Sequence, residues 1–177
     1  MGRITSGEGP QLLAVVEELH MTFRLNVSLN DFPDNWRRPA MRAFLSIKFW
    51  GDDRNRDEVE GVCGVLEALG IETFCFRRDA ERFGEIEFTP SEMMRETLKE
   101  IDRSDLLVAH VGDWPIGVGV EAGYARGRGK SVVCICPTKK KVANTVSGLA
   151  AATVVYEDLE DLAMKMRDVL AEIGAQP

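Results

Sequence analysis

The chain has 177 residues, enough for one domain with a substantial core. Apolar residues make up 45% and charged residues 29%, a globular balance that excludes wholesale disorder. The net charge of −7 excludes a surface that coats nucleic acid, so no nucleic-acid partner is expected, although a local basic pocket can still hold a phosphate.

Residues 1–40 differ from the rest and are expected to form an N-terminal extension. Gln11 to His20 reads as a short amphipathic helix with Leu12, Val15, Val16 and Leu19 on one stripe, and Asn30 to Pro39 as a turn-rich linker. The segment from Met1 to Ser6 lacks the apolar stretch of a signal peptide. Nowhere does an apolar run approach the ~20 residues of a membrane span, so no membrane partner is expected.

From residue 41 to 177 the pattern is that of a regular α/β domain. Ala43 to Ile47 is a short apolar strand. Asp57 to Leu69 is a helix with Val59, Val62, Cys63, Leu66 and Leu69 at helical spacing and Gly70 as its stop. Ile71 to Phe76 is the second strand. Thr89-Pro-Ser-Glu92 is a capping box that opens a helix carrying Met94, Leu98 and Ile101 inward.

Asp105 to Val111 is the third strand, apolar enough for burial on both faces. A helix runs from about Val118 to Arg126, Ser131 to Cys136 is the fourth strand, and a short helix spans about Lys141 to Leu149. Thr153 to Tyr156 is the fifth strand, and a last helix runs from Asp158 to about Ile173 with Leu159, Leu162, Met166, Val169, Leu170 and Ile173 on one face. Strands alternating with helices imply a five-stranded parallel sheet covered on both faces. The order 2-1-3-4-5, the flavodoxin-like and Rossmann-like arrangement, fits this count.

The four cysteines (Cys63, Cys75, Cys134, Cys136) have no C-x-x-C spacing, and there are only two histidines, so no metal site is expected. They sit in apolar periodic segments and read as small buried hydrophobes of a reducing cytoplasm.

Ligands of such sheets bind beyond the carboxyl ends of the strands where the strand order reverses, here between the first and third strands. The two loops at that point carry Trp50 and Trp114, either of which can stack on a planar base or merely cover apolar surface. Gly117 and Gly119 allow close backbone approach, but the pattern G-x-G-x-E is not a dinucleotide fingerprint, and no cofactor is expected. Its informative residue is Glu121. A carboxylate in the first turn of a helix is favoured by the helix dipole by ~0.3–1 kcal/mol, which would keep Glu121 ionised, as suits a nucleophile. His110, at the end of the third strand, is either a proton shuttle or a hydrogen-bonded structural histidine. Lys139-Lys140-Lys141 reads as a solvated basic loop.

Two segments carry a family resemblance. Phe88 to Val111 (FTPSEMMRETLKEIDRSDLLVAHV) and Pro115 to Lys130 (PIGVGVEAGYARGRGK) together resemble the nucleoside 2-deoxyribosyltransferase superfamily. The likeness is to its nucleotide N-glycosidase branch, which includes the 2′-deoxynucleoside 5′-monophosphate N-hydrolases. It covers about residues 42–172. The resemblance implies the same flavodoxin-like fold and makes Glu121 the nucleophile that attacks the anomeric carbon and releases the base. It matches Gly117 and Gly119 to the loop approaching the sugar, and Asn144 to an asparagine supplied by a neighbouring subunit, hence a homodimer or higher oligomer with a shared site. Ser46 and Lys48 match the loop that receives a 5′-phosphate, and Thr145 offers a further phosphate contact.

The chain also departs from the family's pattern. The aspartate expected on the helix before strand three is Thr97 here, with Glu96 and Glu100 on other helix faces. Where transferases carry base-reading acids, this chain has Pro115 and Ile116, with Asp113 displaced by two. Two expectations follow: a nucleotide or nucleoside N-glycosidase that hydrolyses rather than transfers, or a nucleotide-binding module of the same fold that has lost the chemistry. A flavin-carrying electron carrier fits poorly, because Glu121 would repel a flavin phosphate.

Overall fold

The computed structural model describes residues 41–112, 116–142 and 144–174. The expected helix from Gln11 to His20 and the linker after it lie outside the described residues, as do Asp113 and Trp114. Five strands form one parallel sheet in the order β2-β1-β3-β4-β5, as the alternation of strands and helices requires. They are β1 Arg42–Ser46, β2 Glu72–Phe74, β3 Leu106–His110, β4 Ser131–Pro137 and β5 Ala152–Tyr156. Between and after them run α1 Arg56–Ala68, α2 Pro90–Arg103, α3 Ile116–Gly127, the single turn α4 Asn144–Ser147, and α5 Leu159–Gly174.

Side-chain alternation along the strands divides the core into two layers. Ala43, Leu45 and Val108 pack with Val62 and Leu66 of α1 and Leu162 and Met166 of α5. Phe44, Leu107 and Ala109 pack on the other face with Ile101 of α2 and Val118, Ala122 and Ala125 of α3. All four cysteines are free thiols within these layers. Central β3 is buried at every position, which explains its unbroken apolar run.

Helix ends follow local chemistry. α1 and α3 both stop at a glycine with positive φ, Gly70 (+80°) and Gly129 (+75°). At each stop the next residue's N–H reaches back into the last turn, Ile71 to the Leu66 carbonyl (3.1 Å) and Lys130 to that of Ala125 (2.9 Å). This left-handed stop is one that glycine adopts without steric cost. α2 begins at the expected capping box: the Thr89 hydroxyl accepts from the Glu92 N–H, and the Glu92 carboxylate accepts from the Thr89 N–H. Thr89→Ala is expected to lower stability by ~1 kcal/mol, read as a reduced midpoint in urea with an unchanged slope.

α2 corrects the expected inward stripe. Its fully buried residues are Thr97, Glu100 and Ile101, while Met94 and Leu98 are only half-buried. Glu100 tolerates burial because Arg42 and Arg103 each approach its carboxylate to 2.8 Å. Among the described residues, no helix is long and apolar enough to cross a membrane.

Candidate active site

At the carboxyl end of the sheet, β1 and β3 lie side by side, with Ser46 in register with Ala109. Their following loops diverge, because β1 leads toward α1 on one face and β3 toward α3 on the other. The cleft opened there has a volume of about 400 Å³. Lys48 and Phe49 form one wall and Phe76, just after β2, adds to it. Met93, Met94 and Thr97 enter from α2, and Gly117 and Glu121 from α3. Among the described residues the lining is mainly apolar, with one cation and one carboxylate, as suits a planar, partly polar ligand.

Glu121 is the chemical centre of this cleft. Its Oε2 accepts a hydrogen bond from the hydroxyl of Ser46, itself 1% exposed at the end of β1. Burial pushes the Glu121 carboxyl up to about 7, and the Ser46 hydroxyl acts against that rise. This overturns the expectation that the helix dipole keeps the group ionised. α3 starts at Ile116, two residues earlier than the pattern indicated, so Glu121 is in the second turn, where the dipole has faded. Loss of water around the carboxyl then dominates.

Several other expected site residues also end up in different roles. Ser46, matched to a phosphate-receiving loop, directs its hydroxyl to Glu121. Lys48 lines the cleft, but Trp50 does not: the Lys48 ammonium and the Arg54 guanidinium each sit 3.7 Å from its ring. The aromatic wall is instead Phe49 with Phe76, which packs edge-on against Phe88 at 5.2 Å. Periodicity could not identify them: Phe49 lies in the irregular loop after β1, and Phe76, expected at the end of the second strand, instead opens a short π-helical turn Phe76–Ala80.

Gly117 borders the cleft, and a Cβ there would meet, beyond its neighbours and its own helix backbone, no atom of the described residues within 4 Å. A side chain at 117 would therefore obstruct a ligand and not the fold. At Gly119 a Cβ would make only an ordinary contact with Val146, 3.8 Å away. Asn144 and Thr145 are exposed on α4 and do not line this chain's own cleft. The Asn144 carbonyl accepts from the Ser147 hydroxyl (3.1 Å) and the Gly148 N–H (3.0 Å).

Thr97 is 2% exposed and faces the cleft where a second carboxylate was sought. Neither neighbouring glutamate substitutes for one. Glu96 pairs with Lys99 at 2.9 Å outside the cleft, and Glu100 is engaged by its two arginines. Among the described residues, no group of three or more histidine, cysteine or acidic side chains could hold a metal ion.

His110 belongs to the opposite face of the sheet. Its Nε2 lies 3.2 Å from the Tyr156 hydroxyl and 3.3 Å from Glu58 Oε1, and Lys140 Nζ is 3.7 Å from the same carboxylate. His110 holds the Glu58 carboxyl below the usual range, with Lys140 adding to the effect. His110→Ala is expected to cost ~2 kcal/mol of stability through the cavity and the lost polar contacts. Any turnover in the cleft should stay within about twofold at full folding. A large selective loss of turnover would return His110 to the chemistry.

Fold and cleft together define a small-molecule site of the doubly wound α/β class, at its topological switch point. No family model matches the chain. A curated relative from Syntrophotalea carbinolica, named as a candidate 2′-deoxynucleoside 5′-phosphate N-hydrolase 1, is 28% identical over 142 residues, which is 77% of this chain and 99% of the relative. CMP N-glycosidase BcmB of Clostridium botulinum shares the fold with a TM-score of 0.54 at 19% identity, over 73% of this chain and 99% of that one. The 2-deoxyribosyltransferase of Bacillus psychrosaccharolyticus does so with a TM-score of 0.57 at 23% identity, over 69% and 90%. This chain is thus similar in sequence to a curated relative named for N-hydrolysis of 2′-deoxynucleoside 5′-phosphates, and shares the fold of a CMP N-glycosidase and a 2-deoxyribosyltransferase.

Proposed function

We propose that the protein cleaves the N-glycosidic bond of a nucleoside 5′-monophosphate or nucleoside, with Glu121 as nucleophile and water as the final acceptor. The observation that carries this reading is a desolvated carboxylate that, among the described residues, accepts from one hydroxyl, set in an apolar cleft of nucleoside size. The Glu121 carboxylate attacks C1′ as the C1′–N bond breaks, and the electron pair leaves with the base. A positively charged sugar forms along the way, and a half-buried carboxylate with no ion-pair partner among the described residues stabilises that charge strongly. Water then attacks C1′ of the ester and frees the carboxylate. One water is consumed overall: its hydroxyl ends on the sugar and its remaining proton on the base.

Lys48 is the cleft cation suited to a 5′-phosphate. Asn144, exposed and remote from its own cleft, is suited to completing the cleft of a second copy. Hydrolysis is favoured over transfer because Ile116, at the mouth of the cleft, is an apolar residue where transferases hold a base-reading acid.

Thr97 favours the second reading, a nucleotide-binding module without turnover, since a hydroxyl cannot exchange protons as a carboxylate does near neutral pH. The two separate in one experiment. The protein is incubated with ribo- and 2′-deoxyribonucleosides and their 5′-monophosphates, and free base is resolved by chromatography. Release from one substrate class supports the glycosidase, and tight binding without release supports the module.

A further inference from the structure

We propose that Arg77 is a positioning residue that fixes the aromatic wall of the cleft by clamping the loop after β1 to the loop after β2. The inference rests on reading the cleft as a nucleotide site. Arg77 is the buried arginine of the described residues, 9% exposed. Its Nε and Nη2 donate to Asp53 Oδ1 at 2.9 and 2.6 Å, and its Nη1 donates to Glu81 Oε2 at 2.9 Å. Asp53 belongs to the loop that carries Phe49, and the guanidinium carbon lies 5.3 Å from the Phe49 ring. Phe76 directly precedes Arg77 in the chain. Both phenylalanines line the cleft.

The surrounding backbone is bent to accommodate this clamp. Asp53 takes a left-handed conformation (φ +51°), and so do Arg82 (+48°) and Phe83 (+55°) on the other side. For residues with a side chain, such torsions need outside support. At Gly84 (φ +93°) a Cβ would sit 3.3 Å from Arg77 Nη2, so glycine leaves the guanidinium its space. The two acidic partners are themselves largely sheltered, with side-chain exposures of 27% for Asp53 and 12% for Glu81. Cutting a sheltered pair leaves a charge without compensation, so the loops part instead of closing over the gap. Arg77 itself does not line the cleft, so it acts on the ligand through Phe49 and Phe76.

A lysine at 77 keeps the charge but lacks the planar fork that spans two carboxylates. In Arg77→Lys, amide hydrogen exchange over residues 49–55 is expected to accelerate in the ligand-free full-length protein. Affinity for a nucleoside 5′-monophosphate should weaken by about tenfold, because the base loses its stacking wall. Affinity for ribose 5-phosphate, which has no base, should stay within about twofold. KM should rise in parallel, with kcat within about threefold of the parent. Asp53→Asn, which removes one arm of the clamp, should reproduce the pattern in weaker form and serves if the lysine variant does not fold. Equal weakening of both ligands, or unchanged exchange over 49–55 in both variants, would overturn the proposal. Accelerated exchange in a protein whose parent binds no nucleotide would leave the clamp standing and remove the nucleotide reading.

Discussion

Replacing Glu121 by glutamine is expected to abolish base release and, at pH 8, to make the protein harder to melt. The first effect follows from losing the proposed nucleophile. Glutamine keeps the shape and can still accept from Ser46, but it forms no glycosyl ester, and a loss on the order of 10⁴-fold is expected. The second follows from the carboxyl's displacement from 4.5 to about 7. The folded protein binds this proton more tightly than the unfolded chain does. Stability from this group is therefore fully present below about pH 4.5 and declines as pH rises toward 7. Above that, the ionised carboxylate costs the folded state up to ~3 kcal/mol, which the neutral amide does not incur. Calorimetry should show the variant melting several degrees above the parent at pH 8, with the gap closing toward pH 4.5. Equal melting at pH 8 would mean that the carboxyl is well hydrated, and base release near the parental rate would end its role as nucleophile.

The rate should carry the same titration with opposite sign. In the proposed reaction only the ionised form attacks C1′, so kcat/KM should climb through pH 7 to a plateau, falling by about tenfold per unit below it. Ser46 sets where the climb occurs. Its hydrogen bond favours the charged form against burial, so Ser46→Ala should move the climb upward by roughly one pH unit, the typical worth of a hydrogen bond to a charged group. At pH 6 this is about a tenfold loss, and at pH 9 the two proteins should nearly converge. A variant slowed equally at every pH would show Ser46 acting on the ligand and not on Glu121.

Much of the fold was legible because each strand and helix is signalled by short-range periodicity. Val59, Val62, Cys63 and Leu66 repeat at helical spacing, β3 is apolar throughout, and Thr89 with Glu92 marks a helix start. Parallel strands joined by helices leave few arrangements, and 2-1-3-4-5 was one of them. The crevice followed from that order. What the sequence withheld was long-range. Ser46 and Glu121 are 75 positions apart, and Arg77 meets Asp53 across 24; no local pattern announces either pair. Trp50 drew attention by its size, yet Lys48 and Arg54 occupy its ring while its neighbour Phe49 lines the cleft. The ionisation of Glu121 is not legible locally, because a sequence pattern places a helix start only to within a residue or two and the dipole acts over a single turn.

The pairing of β1 with β3 also makes the site vulnerable to a particular kind of damage. Ser46 and Phe44 point to the face of α2 and α3, while Leu45 points to the other. A deletion of one residue early in β1 would shift the strand by one step and exchange the two sets. Ile47 would then confront Glu121, and the serine hydroxyl would be pressed into the oily layer beneath α1. Gene-shuffling or loop-grafting across this strand must therefore preserve its length to the residue, whereas point substitutions elsewhere in the strand leave its frame intact.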